Sequence, residues 1–196
     1  MTSTPTPLLI FAGSTRAQSH NRRLAHIAAD MARAQGAQVT HIELADFDLP
    51  LYNADLEARG TPAAAIRLKA LFHAHPAWVI CSPEYNGSYT GLLKNTIDWV
   101  SSPVKGDPDW GNGLKPFAGT VVGLLSASPG GLGGLRSLSH LSPLLLNLQC
   151  WLTPKQFALA RAGEAFDANG QLAEPARQGV QGVVEQTLWA AQRFSA

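Results

Sequence analysis

Five short, β-prone apolar runs alternate with amphipathic stretches along this chain, and that alternation limits its fold more than any other feature. Strands that take turns with helices close most simply as a parallel sheet covered on both faces. The runs are Leu8–Ala12, Val39–Leu44, Trp78–Cys81, Thr120–Leu125 and Trp151–Leu159. Between the first two, Asn21–Gln35 places Leu24, Ile27, Ala28 and Met31 at i, i+3, i+4 and i+7, and Gly36 supplies a stop. Pro62 suits a first helical turn and opens a helix to about His73, followed by helices over Gly91–Val100, Leu135–Leu148 and Pro175–Phe194. Asp46–Gly60 reads as a long connection, and Ser101–Gly113, rich in Pro, Gly and Asp around Trp110, as a flexible excursion. No internal repeat or linker divides the chain. The expectation is one domain over residues 1–196, with residues 1–6 a disordered polar lead-in.

Composition narrows the function by exclusion. A chain of 196 residues buries about 70% of its unfolded surface and needs no staple. Cys81 and Cys150 lie in apolar stretches without a CxxC pair, as expected for buried free thiols in a reducing compartment. The six histidines show no HExxH spacing, His73 and His75 read as a surface pair, and no metal site is expected. A net charge of +1 with no basic run argues against nucleic acid. Nowhere do 18 apolar residues run together, so no membrane partner is expected and the predicted location is cytoplasmic.

Three loops carry the chemistry. Gly13-Ser14-Thr15-Arg16-Ala17-Gln18-Ser19-His20-Asn21 follows the first strand and precedes a helix. Hydroxyl and amide groups, the helix N-terminus and the Arg16 fork all suit a phosphate. Ser19 or Asn21 merely capping the helix is the plainer alternative. Neither GxxxxGK[ST] nor GxGxxG is present. After the third strand comes Cys81-Ser82-Pro83-Glu84-Tyr85-Asn86-Gly87-Ser88, in which Pro83 ends the ladder, Tyr85 offers a flat ring and Asn86-Gly87 enters φ > 0 cheaply. A simple Asn-Gly turn is the plainer reading here. The fourth strand leads into Ser126-Ala127-Ser128-Pro129-Gly130-Gly131-Leu132-Gly133-Gly134, where a backbone could lie against something flat. In a doubly wound sheet of order 2-1-3-4-5 these loops share the carboxyl edge and converge on one crevice. That arrangement describes a mononucleotide site with a planar ring at one end.

The first loop, the segment Pro83-Glu84-Tyr85-Asn86-Gly87-Ser88 and the following Leu92-Leu93-Lys94-Asn95-Thr96-Ile97-Asp98-Trp99 resemble the flavodoxin-like NAD(P)H-dependent FMN reductase family, which includes quinone, chromate and azo-compound reductases. The resemblance runs from about Leu8 to about Gly170. It implies an α/β flavodoxin-like fold and FMN with its phosphate on Ser14, Arg16, Ser19 and Asn21, His20 beside them. It places the isoalloxazine edge on Pro83, Glu84, Tyr85, Asn86 and Gly87 and on the loop holding Ser126, Gly130 and Gly131. NADPH or NADH is the implied co-substrate, and a quinone, flavin, azo compound or metal oxyanion the oxidant. A homodimer or homotetramer with flavin near the interface is also implied. Thr90 departs from the family, which often has proline there, and Ser101–Gly113 looks longer than usual.

With such a cofactor the expected reaction is ping-pong hydride transfer, needing no protein nucleophile or base, so no catalytic residue is assigned. Backbone donors of the third-strand loop or the glycine loop are expected near N1 and O2 of the flavin. Glu84 is expected to position the loop or contact a partner subunit, Lys94 and Asp98 to pair at i, i+4, and Trp99 to pack. The main rival is a flavodoxin-type FMN electron carrier that turns over no NAD(P)H. A carrier docking through charge is expected to show a single-sign surface, unlike this nearly neutral chain. A flavin-free receiver lacks its acidic cluster, and a low-molecular-weight phosphatase its Cys-x5-Arg loop.

Overall fold

The computed structural model describes residues 5–194. Strands β1 (Pro7–Ala12), β2 (Gln38–Glu43), β3 (Ala77–Cys81), β4 (Val121–Ala127) and β5 (Trp151–Leu159) form one parallel sheet in the order β2-β1-β3-β4-β5. Its helices are α1 (His20–Ala34), α2 (Ala54–Glu57), α3 (Ala63–Ala74), α4 (Gly91–Ser101), α5 (Leu135–Asn147) and α6 (Ala176–Phe194). The predicted flavodoxin-like α/β class and strand order are those of the structure.

Alternation along each strand explains the two cores. Leu8 and Ile10 of β1 and Val79 of β3 point toward α1 and α6, whereas Leu9 and Phe11, with Trp78 and Ile80, point toward α3, α4 and α5. All are essentially fully buried. Each such side chain contributes about 1.5–3 kcal/mol, which is what fixes the register. Gly123 in β4 serves close packing: an added Cβ would collide with Thr187 Oγ1 of α6 and come within 3.0 Å of Val183 Cγ1.

The structure corrects several expectations. Residues 1–4 of the expected lead-in lie outside the described residues, but Thr6 is buried and its carbonyl accepts from the Gln38 amide at 3.0 Å. Pro62 stands just before α3 rather than within its first turn, since its ψ of 140° is extended. The 46–60 connection contains α2, one turn capped by Asn53, whose Oδ1 accepts from Asp55 N at 2.8 Å and Leu56 N at 3.0 Å. His75 is not at the surface: it is buried, with Nδ1 2.6 Å from Leu71 O and Nε2 2.7 Å from Thr40 Oγ1.

Residues 101–113 differ most from the expectation of a flexible excursion. Asp107 Oδ1 accepts from Asp109 N at 2.8 Å and Trp110 N at 2.9 Å, and Val104 N donates to Trp110 O at 2.8 Å. The Trp110 ring lies edge-on to His73 and beneath the Lys115 ammonium. Underneath, the Lys69 ammonium donates to Val100 O at 2.9 Å and to Ser102 O, at 1% residue exposure. Burial pushes its pKa down to about 8, against the opposing attraction of Glu57 and Asp107. Turn-forming composition here builds a pinned structure.

Candidate functional site

The carboxyl ends of β1, β3 and β4 meet at one cleft of about 350 Å³. Ser14, Arg16, Ser19, His20 and Asn21 line one side, Pro83, Glu84 and Tyr85 another, and Ala127, Ser128 and Pro129 the third. Eight of the sequence-predicted residues are thus brought together. Asn86, Gly87, Ser126, Gly130 and Gly131 are not among the lining residues.

On the first side, polar atoms face the cleft with capacity to spare. Ser14 Oγ accepts from Arg16 N at 3.3 Å and Ser19 Oγ from Arg22 N at 3.4 Å, so each hydroxyl keeps its proton to donate. Ser19 is the N-cap of α1, and capping leaves that donor capacity intact. Arg16 is exposed and ties one nitrogen to Gln18 O at 2.7 Å, leaving other N–H groups of the fork. Nδ1 of His20 is buried without a hydrogen-bond partner among the described residues. Burial first, then the charges of Arg16 and Arg23, holds the His20 pKa below 6.5. A positive, hydroxyl-rich helix start with an unpartnered ring nitrogen fits a phosphate.

Asn21 also has a structural part. Its Nδ2 donates to Ala127 O at 2.7 Å and its Oδ1 accepts from Ala127 N at 2.9 Å. The amide therefore clamps α1 to the end of β4 while Asn21 also lines the cleft, one N–H of its Nδ2 being used in the clamp. Thr90 supplies a second clamp: its Oγ1 donates to Gly13 O at 2.7 Å and accepts from Leu93 N at 3.2 Å. The departure from proline thus ties the first loop to the cap of α4.

The ring side is equally fastened. Tyr85 N donates to Ser88 O at 2.9 Å and Ser88 N to Tyr85 O at 3.1 Å, with Asn86 at φ 51° and Gly87 at φ 79°. This is a two-residue hairpin tip, and Gly87 lies against Arg136 rather than the cleft. Glu84 is held by Arg136, whose Nε donates at 2.7 Å, whose backbone N donates at 3.1 Å and whose Nη2 pairs with the carboxylate. Burial opposes ionisation, yet the Arg136 bonds and charge, with backbone N–H groups of Arg136 and Ser137, keep the Glu84 pKa below its usual range. That carboxylate positions a loop.

Ser126 was expected in the glycine loop but lies inside β4, fully buried, with Oγ donating to Ser82 O at 2.6 Å. Ser82 Oγ in turn meets Ser137 Oγ at 2.7 Å. Pairing with β5 carries β4 on through Ala127↔Leu159, two residues past the expected end. The strand's extra length moves the cleft edge to Ala127, Ser128 and Pro129, beyond the reach of an apolar-run argument that stops at a polar serine. Elsewhere Lys94 and Asp98 pair at 2.7 Å, Trp99 is buried, and both thiols are buried, with Cys81 raised and Cys150 pushed up to about 12 by desolvation.

The family model described as NADPH-dependent FMN reductase matches residues 6–164. An NAD(P)H-dependent FMN reductase of Pseudomonas aeruginosa is 39% identical over 133 residues, 67% of each chain. A quinone reductase of Pseudomonas putida is 31% identical over 178 residues, covering 90% of this chain and 89% of that one. Among solved structures, FerB, a flavoenzyme NAD(P)H:(acceptor) oxidoreductase of Paracoccus denitrificans, superposes with a TM-score of 0.81 at 27% identity, covering 96% of this chain and 98% of the other.

Proposed function

The chain belongs to the NADPH-dependent FMN reductase family, and from that premise we propose that the cleft binds FMN for two-step reduction of a quinone or similar small oxidant. Bound FMN would supply two-electron hydride chemistry between NADPH or NADH and the oxidant, the two substrates using one place in turn. The observation that carries this reading is the gathering of Ser14, Arg16, Ser19 and the unpartnered His20 Nδ1 at one end of a cleft whose other end is Pro83–Tyr85 and Ala127–Pro129.

The residues of this chain bind and orient. Ser14, Ser19 and Arg16 hold the phosphate by charge-assisted bonds, and His20 adds a donor once an anion restores its proton. Asn21 and Thr90 hold that end at a fixed distance from the ring end. Glu84, neutralised by Arg136, anchors the loop that carries Tyr85 and leaves proton delivery to solvent. The described chain works as a single FMN-binding unit, with a quinone as first-choice oxidant and a flavin, azo compound or metal oxyanion as alternatives. Tyr85, Leu132 and Leu135, each more than half exposed near the cleft, support a homodimer or homotetramer. Among the described residues no helix is long and apolar enough to cross a membrane, and we place the protein in the cytoplasm.

Anaerobic stopped-flow mixing with NADPH or NADH tests the reading. Rapid bleaching of bound FMN, with parallel double-reciprocal plots against a quinone in steady state, is the expected result. Slow bleaching by both nucleotides beside fast bleaching by dithionite would instead make the chain an electron carrier.

A further inference from the structure

A second cluster of unsatisfied polar atoms lies over the edge strand, on residues the FMN site does not use. His41 and Glu43 are two apart on β2 and so share a face, and His26 comes down onto that face from α1. One ligand atom from each lies within 4.8 Å of the other two, and His26 Nε2 is 3.7 Å from Glu43 Oε1. The two imidazole rings are 4.4 Å apart at 51°. We propose that His26, His41 and Glu43 form a binding site for one divalent transition-metal ion of the Zn²⁺ class.

Two polar atoms of this trio are otherwise hard to explain. Among the described residues, His41 Nε2 and Glu43 Oε1 are buried with no hydrogen-bond partner. Orphaned polar atoms of this kind cost about 1–3 kcal/mol each, and an ion would satisfy both at once. The carboxylate is already divided between two tasks: Arg22 Nε holds Oε2 at 2.8 Å, which orients Oε1 toward the histidines as a monodentate ligand.

Ligand chemistry selects the ion. Two imidazoles and one carboxylate suit zinc and its neighbours, whereas Mg²⁺ and Ca²⁺ prefer all-oxygen shells. Three protein ligands leave a fourth position for water in tetrahedral zinc. Ligands at about 2.1 Å from a tetrahedral centre stand roughly 3.4 Å apart. The His26–Glu43 separation is near that already, and His26, with a 60% exposed side chain, is free to swing inward for the rest. Arg22 also donates through Nη1 to Arg16 O at 3.4 Å, so the trio adjoins the phosphate loop without sharing its residues.

Calorimetric titration of tag-free, FMN-loaded protein with Zn²⁺, with Mg²⁺ as the comparison ion, tests the site. The expected result is one Zn²⁺ per chain, a metal-dependent rise in melting temperature, no comparable Mg²⁺ binding, and at least tenfold weaker Zn²⁺ binding in His26→Ala. His73→Ala, altered at a histidine near Lys115 O rather than the trio, should retain wild-type Zn²⁺ binding. Absence of saturable Zn²⁺ binding, or equal binding by His26→Ala, would overturn the proposal. His26→Gln reads the same outcome if the alanine variant melts early without metal.

Discussion

The loop at residues 13–21 and the excursion at residues 101–113 are both polar connections, yet they use their polar groups in opposite ways. In the excursion Asp107 Oδ1 accepts from Asp109 N and Trp110 N, Trp110 O accepts from Val104 N, and the buried Lys69 ammonium beneath takes up the carbonyls of Val100 and Ser102. In the first loop Ser14, Ser19 and Arg16 keep donors in reserve, and His20 Nδ1 has no hydrogen-bond partner among the described residues. A loop that satisfies itself is structure, whereas one that leaves donors facing a cleft is prepared for a ligand. The comparison predicts that mutations in the two regions separate stability from binding.

The largest expected effect on stability belongs to Lys69→Met. Removing a buried ammonium strands two carbonyls and should cost about 2–3 kcal/mol, or roughly 4–12 °C in melting temperature, with FMN affinity preserved. Differential scanning calorimetry beside an FMN titration reads both, and lost affinity at unchanged stability would reverse the contrast. Thr90→Val comes next, at about 1–2 kcal/mol, because it removes a helix cap and the bond to Gly13 O together. This variant joins the two categories, so urea unfolding should weaken and FMN binding fall modestly. Stability unaffected by the change would mean that the clamp is ornamental.

The smallest effect is on pH dependence. His20 is held below 6.5 by burial and by Arg16 and Arg23, and His41 by burial and by His26. As pH falls through 6.5 the unfolded chain takes up more protons than the folded one, so stability declines toward acid. Melts of the FMN-free protein between roughly pH 7.5 and 5.5 should show this decline. Inorganic phosphate should shrink it by favouring protonated His20. A melting temperature that climbs on acidification would contradict both the sign and the cause.

Strand order and the two cores were legible because buried parallel strands are written as apolar runs such as Leu8–Phe11 and Trp78–Cys81. Three features were not. Ser126 is polar yet sits inside β4, so the end of the strand, and with it Ala127–Pro129 at the cleft, was misplaced. Asn21 has the right chemistry for a phosphate, but only the fold shows that the Ala127 backbone takes both ends of its amide. His26, His41 and Glu43 come from two elements with no motif spacing, and the register of β2 against α1 alone assembles them.

Ser14, Arg16, Ser19 and His20 as a phosphate site is the central claim, and comparing FMN with riboflavin tests it most directly, since the two differ only by that phosphate. Fluorescence titration of the wild type and of Arg16→Ala gives the answer. FMN should bind the wild type at least tenfold more tightly than riboflavin, one per chain, and Arg16→Ala should weaken FMN by about 1.5–3 kcal/mol while leaving riboflavin unchanged. Equal affinity for FMN and riboflavin in the wild type would contradict the account.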